Sequence, residues 1–433
     1  MYMRTNELML YKHIEEGQIL TDMTFLMENY DNDYYNKEDL KGLLFDVINE
    51  ILELSENHGF EGNLWQDYLT YLLASHENAY STACEIIGEV DGSVNKIALH
   101  DFEIFIELFQ YDFQPLQKVL GASAMALLWD YQGDKGHGKV FNRRIRDRIC
   151  KLSQNLAEAC DAEEFKKILT QFYKEFGVGK LGLHKAFRVE RNEAGVEIVP
   201  ITKIAHVHLD DLIGYDIPKK KLVDNTEAFV KGRKANNCLL FGDAGTGKSS
   251  SIKAILNQYY DQGLRMIEVY KHQFQDLNDV IAQIKNRNYK LIIYMDDLSF
   301  EEFQIEYKYL KAVIEGGLER KPENVLIYAT SNRRHLIRET FRDKQERDQE
   351  LHTNDTVQEK LSLVSRFGVT IYFGKPEKKE FQEIVRQLAK RNGIEMEEKE
   401  LLLEANKWEL AHGGLSGRTA QQFIDYLLGT AVR

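Results

Sequence analysis

The segment Cys238-Leu-Leu-Phe-Gly-Asp-Ala-Gly-Thr-Gly-Lys-Ser-Ser250 sets glycines, an amine and a hydroxyl where a polyphosphate could be held. It reads as an apolar strand, then Gly242-x-x-x-x-Gly247-Lys248-Ser249, then a helix-like run to Tyr260. Backbone N–H groups must curl around the phosphates, and glycine alone permits the positive φ angles and close approach this needs. The helix that follows presents its N-terminus, with its partial positive charge, to the anion. Gly242, Asp243, Ala244, Gly245, Thr246, Gly247, Lys248, Ser249 and Ser250 are therefore the expected nucleotide-binding residues. Lys248 would reach the β- and γ-phosphates, and the Ser249 hydroxyl would ligate Mg²⁺. ATP and Mg²⁺ are the expected cofactors.

A second signature is Leu291-Ile-Ile-Tyr-Met-Asp296-Asp297, an apolar strand ending in carboxylates. Asp296 is placed to hold Mg²⁺, and Asp297 to orient or deprotonate the attacking water. A decoy sharpens the assignment. Gly133-Asp-Lys-Gly-His-Gly138-Lys139-Val140 matches the glycine and lysine spacing but continues into valine, which has no hydroxyl for a metal. No clean strand precedes it, so it reads as a turn between helices.

Residues 1–185 read as mostly helical. Phe102-Glu-Ile-Phe-Ile-Glu-Leu-Phe109 and the run from Phe165 to Phe176 carry apolar residues at three-to-four spacing. Pro115 is the only proline before Pro200, as long unbroken helices require. Residues 186–204 read as a β-hairpin about Asn192-Glu-Ala-Gly195 and a linker. From residue 205 strands alternate with helices, which implies a parallel sheet covered by helices. The expected strands are 237–241, 265–269, 291–295, 325–329 and 369–373. Expected helices include 249–260, 277–285 and 307–319. The charged stretch Arg333–Glu359 reads as an exposed loop, and 376–433 as a helical lid on the 205–375 core.

The 433 residues are 43% hydrophobic and 29% charged, ordinary for a globular chain with two or three domains. No stretch approaches the roughly 20 apolar residues that span a bilayer, and the N-terminus lacks a signal peptide's pattern. The four cysteines show no paired spacing, so free thiols in the cytoplasm are expected. The net charge of −13 is uneven, with −18 over residues 1–130 and +5 over the rest. The acidic part repels nucleic acid and suits a basic protein partner.

These features resemble the AAA+ ATPases over roughly residues 205–433. The resemblance implies an AAA+-type P-loop NTPase sheet with a helical lid, preceded by a mostly α-helical N-terminal domain. It implies a polar sensor at Asn332 in Val325-Leu-Ile-Tyr-Ala-Thr-Ser-Asn332, with Thr330 and Ser331 as alternatives. It implies an arginine finger at Arg366 in Ser365-Arg-Phe-Gly368, and a second sensor arginine at Arg418 in Gly414-Leu-Ser-Gly-Arg-Thr-Ala. Longer strings resemble more narrowly a bacterial family of predicted ATP-binding proteins, domain of unknown function 815. They are Leu209-Asp-Asp-Leu-Ile-Gly-Tyr215, Asp296-Asp-Leu-Ser-Phe-Glu-Glu302, Tyr328-Ala-Thr-Ser-Asn-Arg-Arg-His-Leu336 and Ser416-Gly-Arg-Thr-Ala-Gln-Gln-Phe423.

Two departures from the AAA+ pattern bear on activity. Asp297 stands where many of these motors have glutamate, so Glu301 or Glu302 could activate water instead. Val269-Tyr-Lys-His-Gln-Phe274 lacks the glycine of a threading unfoldase's pore loop. The resulting expectation is an ATPase that couples nucleotide to a protein partner bound by the N-terminal domain, self-associating with ATP. A low-turnover nucleotide switch is the alternative. A DNA-associated loader is less favoured, resting only on the basic run Lys139–Lys151 and Arg333-Arg334.

Overall fold

A computed structural model describes residues 3–89, 91–133, 141–193, 195–202, 204–300, 305–315, 322–333, 336 and 363–430. Lys139 and most of its loop, Glu301, Glu302, Arg334 and most of the Arg333–Glu359 stretch lie outside the described residues. The chain divides into two compact units, Met1–His184 and Lys185–Arg433.

In the first unit the described residues form helices α1 (Gln18–Asn29), α2 (Lys37–His58), α3 (Leu64–Ser75), α4 (Ala79–Ile87), α5 (Ser93–Phe109), α6 (Gln114–Leu120), α7 (Arg143–Ala157), α8 (Ala162–Phe176) and α9 (Gly179–Leu183). Helix α8 illustrates why. The Asp161 carboxylate accepts from the Glu164 N–H, glutamates fill the first turn, and Gly177 (φ +81°) ends the helix. Its buried residues, Phe165, Leu169, Phe172 and Tyr173, form one stripe against the core. The buried Asp101 carboxylate accepts from the N–H groups of Met9, Leu10 and Tyr11, fastening the segment before α1.

Asp67 in α3 is 3% exposed, and the Cys150 thiol of α7 donates to it at 3.5 Å. Burial raises its pKa to about 6, against the hydrogen bonds from Ser153 and Cys150. The folded chain therefore favours the protonated acid. The ionised form costs stability progressively as pH rises from about 4, in full above about 6. Asp67→Asn is expected to raise the melting temperature at pH 7.5, by up to roughly 3 kcal/mol of stability. Little gain is expected at pH 4. Equal effects at both values, read by calorimetry, would contradict this cause.

The second unit is built on strands β1 (Ala186–Asn192), β2 (Gly195–Pro200), β3 (Cys238–Gly242), β4 (Leu264–Glu268), β5 (Lys290–Met295), β6 (Val325–Ser331) and β7 (Val369–Phe373). Their order is β2-β1-β4-β5-β6-β3-β7, parallel except for the β1–β2 pair. All seven residues of β6 are buried, as a strand covered on both faces requires. Helices α10 (Asp216–Val230) and α11 (Lys248–Tyr259) supply Leu222, Phe229, Ile252, Ile255 and Leu256 to one face. Helices α12 (Leu277–Ile284) and α13 (Ile305–Glu315) complete this part. After β7, α14 (Lys378–Arg391), α15 (Glu398–Ala411) and α16 (Gly417–Thr430) close on their own core of Phe381, Val385, Leu401, Ala405, Ala420 and Ile424. No helix among the described residues is long and apolar enough to cross a membrane.

The hairpin at 186–204, expected as a linking segment, is part of the sheet. Ala186, Phe187 and Arg188 pair in parallel with Met266, Ile267 and Glu268. Phe187 and Val189 are buried there, so the pairing removes apolar surface that a linker would expose.

Candidate functional site

Strands β3, β5 and β6 end on the same side of a parallel sheet, the side where open α/β sheets bind ligands. The loop leaving β3 turns sharply there. Gly242 has φ +135°, and a Cβ on it would lie 2.1 Å from the Phe373 carbonyl oxygen. Gly245 has φ +75°, and its Cβ would press on Ser416 and Arg418 at 3.0 Å. The Asp243 N–H donates to Phe373 O at 3.0 Å, and the Asp243 carboxylate accepts from the Lys375 N–H at 2.9 Å. The loop is thus formed in advance, with α11 starting at its end.

Lys248 is 6% exposed. Its Nζ donates to Gly242 O at 3.1 Å, Asp243 O at 2.6 Å and Asn332 Oδ1 at 3.1 Å. Burial lowers its pKa, although Asp243, Asp297 and Asp296 oppose that shift. The ammonium therefore pays a desolvation cost in this state, and an incoming anion would repay it.

The Ser249 hydroxyl donates to Asp296 Oδ1 at 2.7 Å, and Thr330 Oγ1 donates to the same oxygen at 2.5 Å. Burial pushes the Asp296 carboxyl up, but hydroxyls and Lys253 more than offset it, leaving a lowered pKa. Thr330 also accepts from the Asp297 N–H at 2.9 Å. Asp297 lies in the left-handed region (φ +49°), uncommon for a non-glycine residue. Its carboxylate accepts from Asn332 Nδ2 at 2.7 Å. Asn332 thereby bridges Lys248 and Asp297, while Thr330 braces both aspartates. Ser331 is buried, and its Oγ accepts from the Arg333 N–H.

These groups border a cleft of about 590 Å³. Arg418 lines it, and the Arg418 N–H donates to Gly245 O at 3.1 Å, tying the start of α16 to the phosphate loop. The far end is apolar, formed by Leu212, Ile213, Ile384 and Leu388 with Phe373. Tyr215 stands here with φ +58°, its ring 5.5 Å from that of Phe373, and its hydroxyl is buried without a hydrogen-bond partner. Sequence reading had singled out neither Tyr215 nor Tyr294. The usable signal for Tyr294 is strand parity, since it lies two residues before Asp296.

Arg366 is not among the described residues lining this cleft. It pairs with Glu315 at the end of α13. Arg366 precedes β7, whereas the phosphate loop follows β3, and Val369 pairs with Cys238 at the opposite end of these strands. Five residues at about 3.3 Å each set the two ends roughly 15 Å apart. The arginine and its own chain's phosphate loop thus lie at opposite ends of two neighbouring strands.

Oxygen donors alone form the Ser249–Asp296 pair, which suits a hard cation such as Mg²⁺. The buried Tyr294 side chain reaches the same pair, and its hydroxyl helps hold the Asp296 pKa down. The residues present fit the ion.

A family described as Protein of unknown function (DUF815) matches residues 182–431. Over 81 residues the chain is 31% identical to the replication factor C large subunit of Staphylothermus marinus, covering 18% of this chain and 18% of that protein. Among solved structures, a Thermotoga maritima RuvB mutant is 19% identical, with a TM-score of 0.37 over 52% of this chain and 67% of that one. The FIGL-1 AAA domain in complex with ADP is 16% identical, with a TM-score of 0.36 over 51% of this chain and 72% of that one.

Proposed function

The chain belongs to the DUF815 family, and on that premise we propose that it is an AAA+-type P-loop protein that binds and hydrolyses ATP to act on a protein partner. One observation carries the reading: phosphate loop, Lys248, Asp296, Asp297, Asn332 and Arg418 converge on a single cleft in the second unit. The loop N–H groups and the N-terminus of α11 would cradle the phosphates. Lys248 would exchange its carbonyl partners for phosphate oxygens. The apolar end, with Tyr215, is suited to a flat base. Ser249 and Asp296 would hold Mg²⁺, which when bound neutralises charge on the phosphates. Asp297 would orient the attacking water, and Asn332 would hold Asp297 in register with Lys248.

A second reading, the low-turnover switch, is favoured by the geometry of Asp297. Its short carboxylate is already engaged by Asn332, so it is poorly free to take a proton. Under either reading the helical unit, with its acidic sequence, would recruit the partner, and ATP would promote assembly of copies of the chain. Phosphate release and ATP binding by calorimetry on the full-length chain decide between them. Saturable binding with steady turnover supports the ATPase, binding without turnover the switch. No binding at millimolar MgATP overturns both, and stimulation only by DNA transfers the reading to a loader.

A further inference from the structure

Between β2 and α10 the described residues form only one short 3-10 turn, Leu209–Asp211. Yet this segment supplies Leu212 and Ile213 to the apolar end of the cleft. Leu212 also reaches the phosphate loop, 3.8 Å from where a Cβ on Gly247 would stand. Backbone without a ladder of its own must have its polar groups served from outside. Three side chains do so. Asn257 of α11 donates from Nδ2 to Ala205 O at 3.1 Å and to Val207 O at 2.9 Å. Lys219 of α10 donates to Leu212 O at 2.6 Å. Arg391, the last residue of α14, donates to Asp210 O and pairs with Asp211 at 3.7 Å.

The half-buried Asn257 is engaged on both sides of its amide. Lys185 Nζ donates to Oδ1 at 2.6 Å, which turns the NH₂ group toward the two carbonyls. One proton of that group serves each. Helix α11 begins at the phosphate loop, so the helix that would hold the phosphates also carries the clasp for the segment. Lys219 lines the cleft, but Asn257 is not among its lining residues. Any effect of Asn257 on a ligand must therefore pass through the segment it holds.

We propose that Asn257 is a positioning residue for the nucleobase. By holding the backbone at Ala205 and Val207 against α11, it sets where Leu212 and Ile213 stand, and so shapes the apolar end that receives the base. The phosphates, cradled by the loop and the start of α11, do not depend on this clasp.

The proposal rests on the nucleotide-binding reading, and the experiment separates the two. Affinities of the full-length chain for MgATP and for magnesium tripolyphosphate, which has no base, are measured by displacement of a fluorescent ATP analogue. Wild type is compared with Asn257→Ala and Asn257→Asp. The aspartate keeps the shape and the Lys185 contact but turns an oxygen toward the two carbonyls. Expected in both variants is a loss of MgATP affinity of about 10-fold, the worth of one or two neutral hydrogen bonds, with tripolyphosphate affinity unchanged. Hydrogen exchange at saturating MgATP should quicken over residues 207–213 and stay the same in the phosphate loop. Wild-type MgATP affinity in Asn257→Asp overturns the proposal. So does an equal loss for both ligands, which marks support of α11 rather than of the base end. Unchanged exchange over residues 207–213 overturns it by itself, even where tripolyphosphate binds too weakly to compare. Wild-type protein that binds neither ligand removes the nucleotide reading itself, before any variant is compared.

Discussion

Lys248→Ala is expected to weaken ATP binding by roughly 30-fold to several thousand-fold, the cost of removing one partner of a desolvated charge pair. The fold should survive. Among the described residues the ammonium is held by two loop carbonyls and the Asn332 amide oxygen, and burial lowers its pKa. Removing it relieves a desolvated charge and leaves carbonyls that neighbouring N–H groups or water can serve. The melting temperature without nucleotide should therefore hold or rise, while the thermal shift on adding MgATP disappears. A folded Lys248→Ala protein with wild-type ATP affinity would remove the central claim. The same substitution separates phosphate recognition from base recognition, because the apolar end around Leu212, Ile384 and Leu388 is untouched.

How much of this was readable in advance depends on how far apart in the chain the cooperating atoms lie. The phosphate loop is contiguous, so glycine positions, lysine and hydroxyl declare themselves together. Strands β3 to β7 were also legible, because burial on both faces forces continuous apolar runs such as Leu291–Met295. The place of β1 was not, since its partner β4 lies nearly eighty residues on and parallel pairing leaves no local mark. Thr330 was legible only as an alternative to Asn332 for the polar sensor. Its double engagement with Asp296 and the Asp297 N–H depends on β5 and β6 lying side by side. Tyr215 and Tyr294 escaped for a further reason. An aromatic in an apolar run reads as core, and only the unpartnered hydroxyl of Tyr215 and the approach of Tyr294 to Asp296 and Ser249 mark them as more.

Arg366→Ala is expected to leave ATP binding nearly normal and to cut hydrolysis by about 10³–10⁵-fold, the worth of an arginine finger in phosphoryl transfer. A guanidinium near the γ-phosphate offsets charge that develops as the bond to the leaving phosphate breaks. Within one chain this arginine belongs to the wrong end of the sheet, paired with Glu315 rather than lining the cleft. Strand β7, which it precedes, is an edge strand and therefore available to a neighbour. The geometry leaves two roles, a finger supplied to a second copy or a contact that braces α13. Mixing distinguishes them. Arg366→Ala retains an intact phosphate loop, and Lys248→Ala retains an intact arginine, so a mixed interface joins one working half from each. Partial recovery of phosphate release on mixing two inactive proteins, with ATP-dependent growth in light scattering, is the expected result. Arg366→Lys should not substitute, because a point charge lacks the planar fork that spans two phosphate oxygens. A chain that stays monomeric with MgATP across micromolar concentrations, with no recovery on mixing, would assign Arg366 to its pairing with Glu315.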